Sequence, residues 1–196
     1  MRVSKGDIFE RLFVNEEVHL LIDQEAGSQV KIYVINAPFS ITVNQMGEGC
    51  QTEIYALENL HGDEQMTAET HVNHVVGGGK SNQLIKFVLD DNARGRFVGD
   101  LKIAKDAQQT EAHQTNRNLI LSETAEMRTQ PQLEIYADDV QATHGASTGQ
   151  LDESAIFYMQ QRGIDKQKAR QLLVNAFMKE VLDKIPLLDS VDGVVQ

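Results

Sequence analysis

Residues Val75–Asp91 read VVGGGKSNQLIKFVLDD, and two different folds compete for them. Three glycines run into Lys80 and Ser81, as in the second half of the phosphate-cradling loop G-x-x-x-x-G-K-[ST]. That loop needs a helix after it, with its N-terminus turned to the phosphates. The spacing decides against it. With Gly79, Lys80 and Ser81 in place, the first glycine belongs at position 74, which is His74. Leu84, Ile85, Phe87 and Leu89 then fall at near-alternate positions, with neither cap nor helical period. The stretch reads as a glycine-rich turn between two strands, and no ATP site is assigned to this chain.

Outward from this turn, short apolar runs recur between residues rich in Gly, Asn, Asp and Gln. They are VHLLI (18–22), KIYVI (31–35), SITV (40–43), TEIYAL (52–57), LIKFVL (84–89), RFVGDLKI (96–103), NLIL (118–121) and QLEIY (132–136). In RFVGDLKI, the positions Phe97, Gly99, Leu101 and Ile103 share one face, as the two-residue period of a strand requires. Between Thr70 and Thr148 there is no helical pattern. Such a series suits a sandwich, a barrel or a β-solenoid. Turns of Asn, Gln, Thr and Ala, in place of Asn-Gly hairpin signals, lean toward the solenoid. A solenoid coil touches only its neighbours, so a bare end must be capped or paired.

The chain divides into a strand-rich core over 17–150 and a helical segment over 151–186. Asp152 caps a helix running to Gln161, with Glu153 adding negative charge at its first turn. Gly163 suits the left-handed stop. Asp165 caps the next helix, whose apolar face is Ala169, Leu172, Leu173, Ala176, Phe177 and Val181. Pro186 ends it. Residues 1–16 and 187–196 are read as loose ends.

Composition narrows the function classes. The 196 residues are 41% hydrophobic and 24% charged, an ordinary globular balance. No run of about 18 apolar residues is present, so no membrane span is expected. The N-terminus lacks an apolar signal core, and the single cysteine, Cys50, suits a reducing compartment, so the expected location is cytoplasmic. A net charge of −11 argues against nucleic acid. Tryptophan is absent and aromatics are 6%, which disfavours a deep aromatic pocket.

Candidate chemistry is sparse. His71 and His74 would meet on a helix, but in an extended segment they point to opposite faces, so no zinc site is assigned there. Asn116 and Asn118 share one strand face and read as structural. No G-x-S-x-G, H-E-x-x-H or paired-cysteine motif occurs. Asp138, Asp139 and His144 lie just before the helices. As residues alone they are turn formers and a polar side chain, or part of a metal site.

Several strings in order carry a resemblance. They are GRFVGDLKIAKDAQQTEAHQTNRNLILS (95–122), PQLEIYADDV (131–140), THGAS (143–147), FYMQQRGI (157–164) and ARQLLVNAF (169–177). This half of the chain resembles the SufB/SufD family of iron–sulfur cluster assembly proteins. SufB-like chains carry Glu-His-Glu-Ala where this one has Thr143-His144-Gly145-Ala146, and a cysteine at the position matching Asn116. Both departures resemble SufD. Many SufD-like chains have a cysteine two residues before the histidine, where this chain has Ala142.

The resemblance implies a right-handed parallel β-helix (a β-solenoid) with a C-terminal helical segment, and a scaffold with no enzymatic activity. It implies pairing through the β-helix with a SufB-like subunit or with itself as a homodimer. It also implies docking of an ABC-type ATPase by the helices of 152–185, with Phe157, Tyr158, Arg162, Leu173 and Phe177 contributing to packing or contact. Related chains are often named ABC-transporter components, although nothing here is membranous. A transient iron–sulfur cluster is expected at the joint between subunits, with His144 the one ligand candidate of this chain. Family members are about twice this length, with an N-terminal helical region that has no counterpart here. Two readings stand beside this one: a β-solenoid or sandwich enzyme acting on carbohydrate through Glu134 with Asp138 or Asp139, and a homodimeric binding module without metal.

Overall fold

The computed structural model describes residues 1–186; the reading of 187–196 as a loose end lies outside the described residues. Twelve strands precede two helices. The strands are β1 (Arg2–Val3), β2 (Ile8–Val14), β3 (Val18–Gln24), β4 (Gln29–Ile35), β5 (Phe39–Gln45), β6 (Gln51–Leu60), β7 (Gln65–His74), β8 (Lys80–Leu89), β9 (Arg94–Ile103), β10 (Thr110–Ile120), β11 (Glu126–Ile135) and β12 (Val140–Gln150). The helices are α1 (Glu153–Gln161) and α2 (Lys166–Leu182).

Successive strands alternate between two sheets. One runs β1-β3-β5-β7-β9-β11 and the other β12-β10-β8-β6-β4-β2, with every pairing parallel. A parallel neighbour two strands later, with no helix between, is the signature of a β-solenoid, and the expectation of stacked coils is met. The glycine-rich stretch that opened the sequence reading is the turn between β7 and β8. Gly78 there has φ +71°, and a Cβ on Gly77 would stand 2.6 Å from the carbonyl oxygen of Gln108 in the next coil. Elsewhere Asn15, Asn36, Asp91 and Gln109 take the left-handed turn positions, where Asn and Asp bond locally at least cost.

The solenoid begins earlier than expected. Residues 1–16, read as a loose end, hold β1 and β2, which pair in register with β3 and β4. Phe13 and Val3 are buried in the interior cluster. Their burial ties down a segment whose sequence is too short and mixed to announce a strand.

Apolar packing forms two layers. The interior between the sheets holds Ile22, Val30, Ile32, Ile41, Ile54, Phe87 and Phe97. A second cluster lies on the outer face of the β2–β12 sheet. There Tyr33, Tyr55, Leu84, Val88 and Leu119 meet Met178, Val181 and Ile185. Strand β8 is therefore covered on both faces, which explains its near-continuous apolar run LIKFVL.

The helix caps are as expected. Asp152 accepts from the Ser154 N–H at 2.8 Å, Asp165 accepts from the Lys168 N–H at 2.9 Å, and Gly163 has φ +83°. Two details differ. Helix α2 ends at Leu182, four residues before Pro186. Its packed face also includes Val174 and Met178, while Leu172 and Ala176 are exposed. The apolar residues of α2 nearly encircle it, so periodicity alone misplaces the seam by about one position.

Candidate functional site

The last coil defines the open end. Strands β11 and β12 each have a sheet neighbour on one side only. Most of β12 is exposed, although its registry with β10 is complete from Thr110–Val140 to Ile120–Gln150. An eleven-residue edge with free backbone donors and acceptors is a template for another strand.

The inward column beneath that edge changes character along the axis. Ile32, Ile54, Gln83, Gln114 and His144 occupy the same register position in β4, β6, β8, β10 and β12. The first four are buried and His144 is exposed. The neighbouring column passes from Val34 and Ala56 through Ile85 to Asn116 and Ala146. Asn116 and Asn118 hold each other through two amide bonds, at 3.0 and 2.8 Å. Asn116 also donates to the Ile85 carbonyl and Asn118 to the Ser147 carbonyl, both at 3.2 Å. Their structural reading agrees with these contacts.

Gln114 reaches across the interior. A Cβ on Gly99 of β9 would lie 2.6 Å from its Nε2 and 2.7 Å from its Oε1. Gly99 thus leaves the room that the amide fills. Nε2 makes a long 3.4 Å bond to Gln83 Oε1, while Gln114 Oε1 and Gln83 Nε2 are buried without partners.

His71 and His74 serve local contacts. His71 points outward and its Nδ1 lies 2.8 Å from Asp100; His74 points inward, 2.8 Å from Ser81 Oγ. The opposite faces expected for this pair are observed. Burial pushes His74 down to about 4 and keeps it neutral. Burial also holds the Glu58 carboxyl well above its ordinary range, even though it accepts from the Ala37 N–H at 2.9 Å. Among the described residues, no group of three or more His, Cys, Asp or Glu side chains could hold a metal ion.

The carbohydrate reading finds little here. Glu134 lies on the outer face, 3.5 Å from Lys102, and accepts from the Tyr136 hydroxyl. Asp139 belongs to a turn in which its N–H donates to Gln108 Oε1 at 2.9 Å.

The helical residues fall into two groups. Phe157 and Tyr158 on α1 are each 61% exposed, and Arg162 donates to the Tyr158 hydroxyl at 2.9 Å. Leu173 is half-buried, and Phe177 packs against the solenoid. Sequence reasoning missed the residue beneath it. Lys86 is 1% exposed, and its Nζ donates to the Phe177 carbonyl at 2.7 Å. The ammonium lies 2.5 Å from Glu180 and 4.2 Å from the Phe177 ring centroid. Arg117 of the next coil takes the same Glu180 at 2.9 Å. Lys86 and Arg117 together hold the Glu180 carboxyl below its ordinary value. A lysine inside an apolar run was the available signal. Among the described residues, no helix is long and apolar enough to cross a membrane.

Comparison with known proteins follows the same lines. Residues 16–177 match the family model described as SUF system FeS cluster assembly, SufBD core domain. The chain is 38% identical over 171 residues to an iron–sulfur cluster assembly SufBD family protein of Synechocystis, covering 85% of this chain and 36% of that protein. It is 38% identical over 139 residues to the iron–sulfur cluster assembly protein SufD of Escherichia coli, covering 71% and 33%. With SufD of Bacillus subtilis the figures are 32% over 146 residues, covering 74% and 33%. The chain spans about a third of the length of the curated relatives it matches.

Proposed function

The chain belongs to the SufBD core family, and from that membership we propose that it is a SufD-like scaffold, not an enzyme, in iron–sulfur cluster assembly. The observation that carries this reading is the open last coil, where His144 holds an inward register position on an exposed edge strand. A neutral imidazole is an acceptable ligand for iron, and histidine replaces cysteine in some clusters. One imidazole does not complete a coordination shell. The remaining ligands come from a second subunit laid against β11 and β12, either a SufB-like chain or another copy. The cluster is cargo, held in transit between the two subunits.

The helices form the second handle. Exposed Phe157 and Tyr158, with Arg162 beside them, present an apolar and cationic knob on α1. Aromatic and arginine side chains are the usual anchors of interfaces. An ABC-type ATPase docked there binds the ATP that this chain does not. Its nucleotide-dependent states bias an equilibrium between closed and parted subunits. The setting is cytoplasmic, away from membrane and nucleic acid.

Co-purification with a SufB-like subunit and the ATPase is the first test; capture of neither overturns the reading. Replacing Phe157 and Tyr158 together by alanine is expected to weaken ATPase binding at least about tenfold, the size of a modest hot spot. Undiminished binding removes the docking surface. These substitutions are preferable to deleting 151–196, which would strip Met178 and Val181 from the outer apolar cluster. His144→Ala is expected to leave pairing intact and abolish cluster formation in the reconstituted complex. Unchanged assembly favours the homodimeric module without metal.

A further inference from the structure

We infer that Gln114 is a positioning residue for His144, selecting the tautomer and direction of its imidazole. This inference rests on the ligand reading of His144. Three observations converge. Gln114 and His144 are register partners in adjacent strands, both in inward positions. Gln114 is 1% exposed, and its Oε1 is buried with no hydrogen-bond partner. Its Nε2 is committed to Gln83 Oε1 in the preceding coil.

The two branches of an amide diverge. With Nε2 turned toward the preceding coil, Oε1 turns toward the following one, where His144 stands. A buried acceptor without a partner costs about 1–3 kcal/mol, so the site favours any donor that can reach it. The next side chain up the column is an imidazole, which in its neutral form has one N–H to give. Donating that proton to Gln114 fixes the tautomer and leaves the other nitrogen's lone pair toward the open end. Ligating histidines commonly have their second nitrogen oriented in this way.

Gly99 makes the arrangement feasible. Any larger residue at position 99 would collide with the Gln114 amide, which would meet a Cβ at 2.6–2.7 Å. The amide is thereby held across the interior, below the open coil.

The test reads the imidazole directly. Ring nitrogen chemical shifts of His144 in the intact chain are expected to report one tautomer at neutral pH. In Gln114→Met, which keeps length and volume, they are expected to report a mixture. Gln114→Glu retains an acceptor and restores the single tautomer. Ferrous iron titrated into the complex with the co-purified partner is expected to bind about ten- to a hundredfold more weakly when Gln114 is Met. Equal tautomer populations in the unaltered chain and Gln114→Met overturn the inference. A tautomer fixed by Gln114 in a complex that binds no iron at His144 instead overturns the ligand reading and leaves the positioning role standing.

Discussion

Between β3 and β5 the register advances from Val18 to Phe39, 21 residues per coil; between β8 and β10 it advances from Lys80 to Glu111, 31 residues. Strands lengthen from seven residues to ten or eleven over the same span. The earlier coils fill their shared column with Ile32 and Ile54, the later ones with Gln83 and Gln114; the change comes after β6, which is already ten residues long. Both ends stack parallel backbone in the same way. Within this column the earlier strands pack branched aliphatics, whereas the later ones hold amides that need partners; the buried amides of the early coils, Gln24 and Gln45, stand outside it. Under the proposed pairing, the coil that meets a second subunit gains from polar groups of defined direction, and a coil that anchors the fold gains from apolar volume.

The largest expected effect tests the early coils. Ile54→Ala in the dry column should cost about 2–5 kcal/mol by denaturant unfolding, the usual range for a buried large-to-small change. A loss below about 1 kcal/mol would erase the distinction between the two ends.

Next comes pH, read at the boundary between them. The folded pKa of His74 is about 4 against an ordinary 6.5. Its contribution is therefore fully present above pH 6.5 and lost as pH falls toward 4, a loss of about 3 kcal/mol. His74→Gln should flatten that acid limb in a series of melts. Glu58 acts in the opposite sense. Its raised pKa favours the fold while the carboxyl is protonated, and that advantage disappears as pH rises through the raised value.

The outer layer offers a smaller effect. Glu180→Ala removes the carboxylate partner of a buried lysine and should cost about 1–3 kcal/mol. Lys86→Met should be close to neutral, because a buried ion pair roughly breaks even against apolar packing. Equal losses for the two would argue that the pair itself, and not the orphaned charge, is what matters.

The smallest effect belongs to the wide coils. Gln114→Met should move stability by less than about 1 kcal/mol, since removing an unpartnered amide offsets the loss of one long bond. A loss as large as that of Ile54→Ala would show the amide layer to be structural first.

Much of the fold was legible from residue pattern, and the reasons are local. The alternation of Phe97, Gly99, Leu101 and Ile103 and the caps at Asp152 and Asp165 each depend on a few neighbouring residues. Strands β7 and β12 were not legible, because their inward positions carry Thr70, His74, His144 and Thr148 and only one branched aliphatic each, Val72 and Val140. The same substitution of polar for apolar hid the candidate site. His144 could be named through a family motif, but its partner in the column could not. Gln114 stands thirty residues away and meets it only through register. Lys86 was hidden because its counter-charge comes from a helix 94 positions later, Glu180.

That last separation bears on how the protein is made. The outward face bearing Tyr33, Tyr55, Leu84 and Val88 is finished before α2 has left the ribosome, and its cover, Met178, Val181 and Ile185, arrives last among the described residues. Until then the nascent chain carries a bare sticky flank, so a pause or a cut before the second helix should hand it to chaperones or to aggregates.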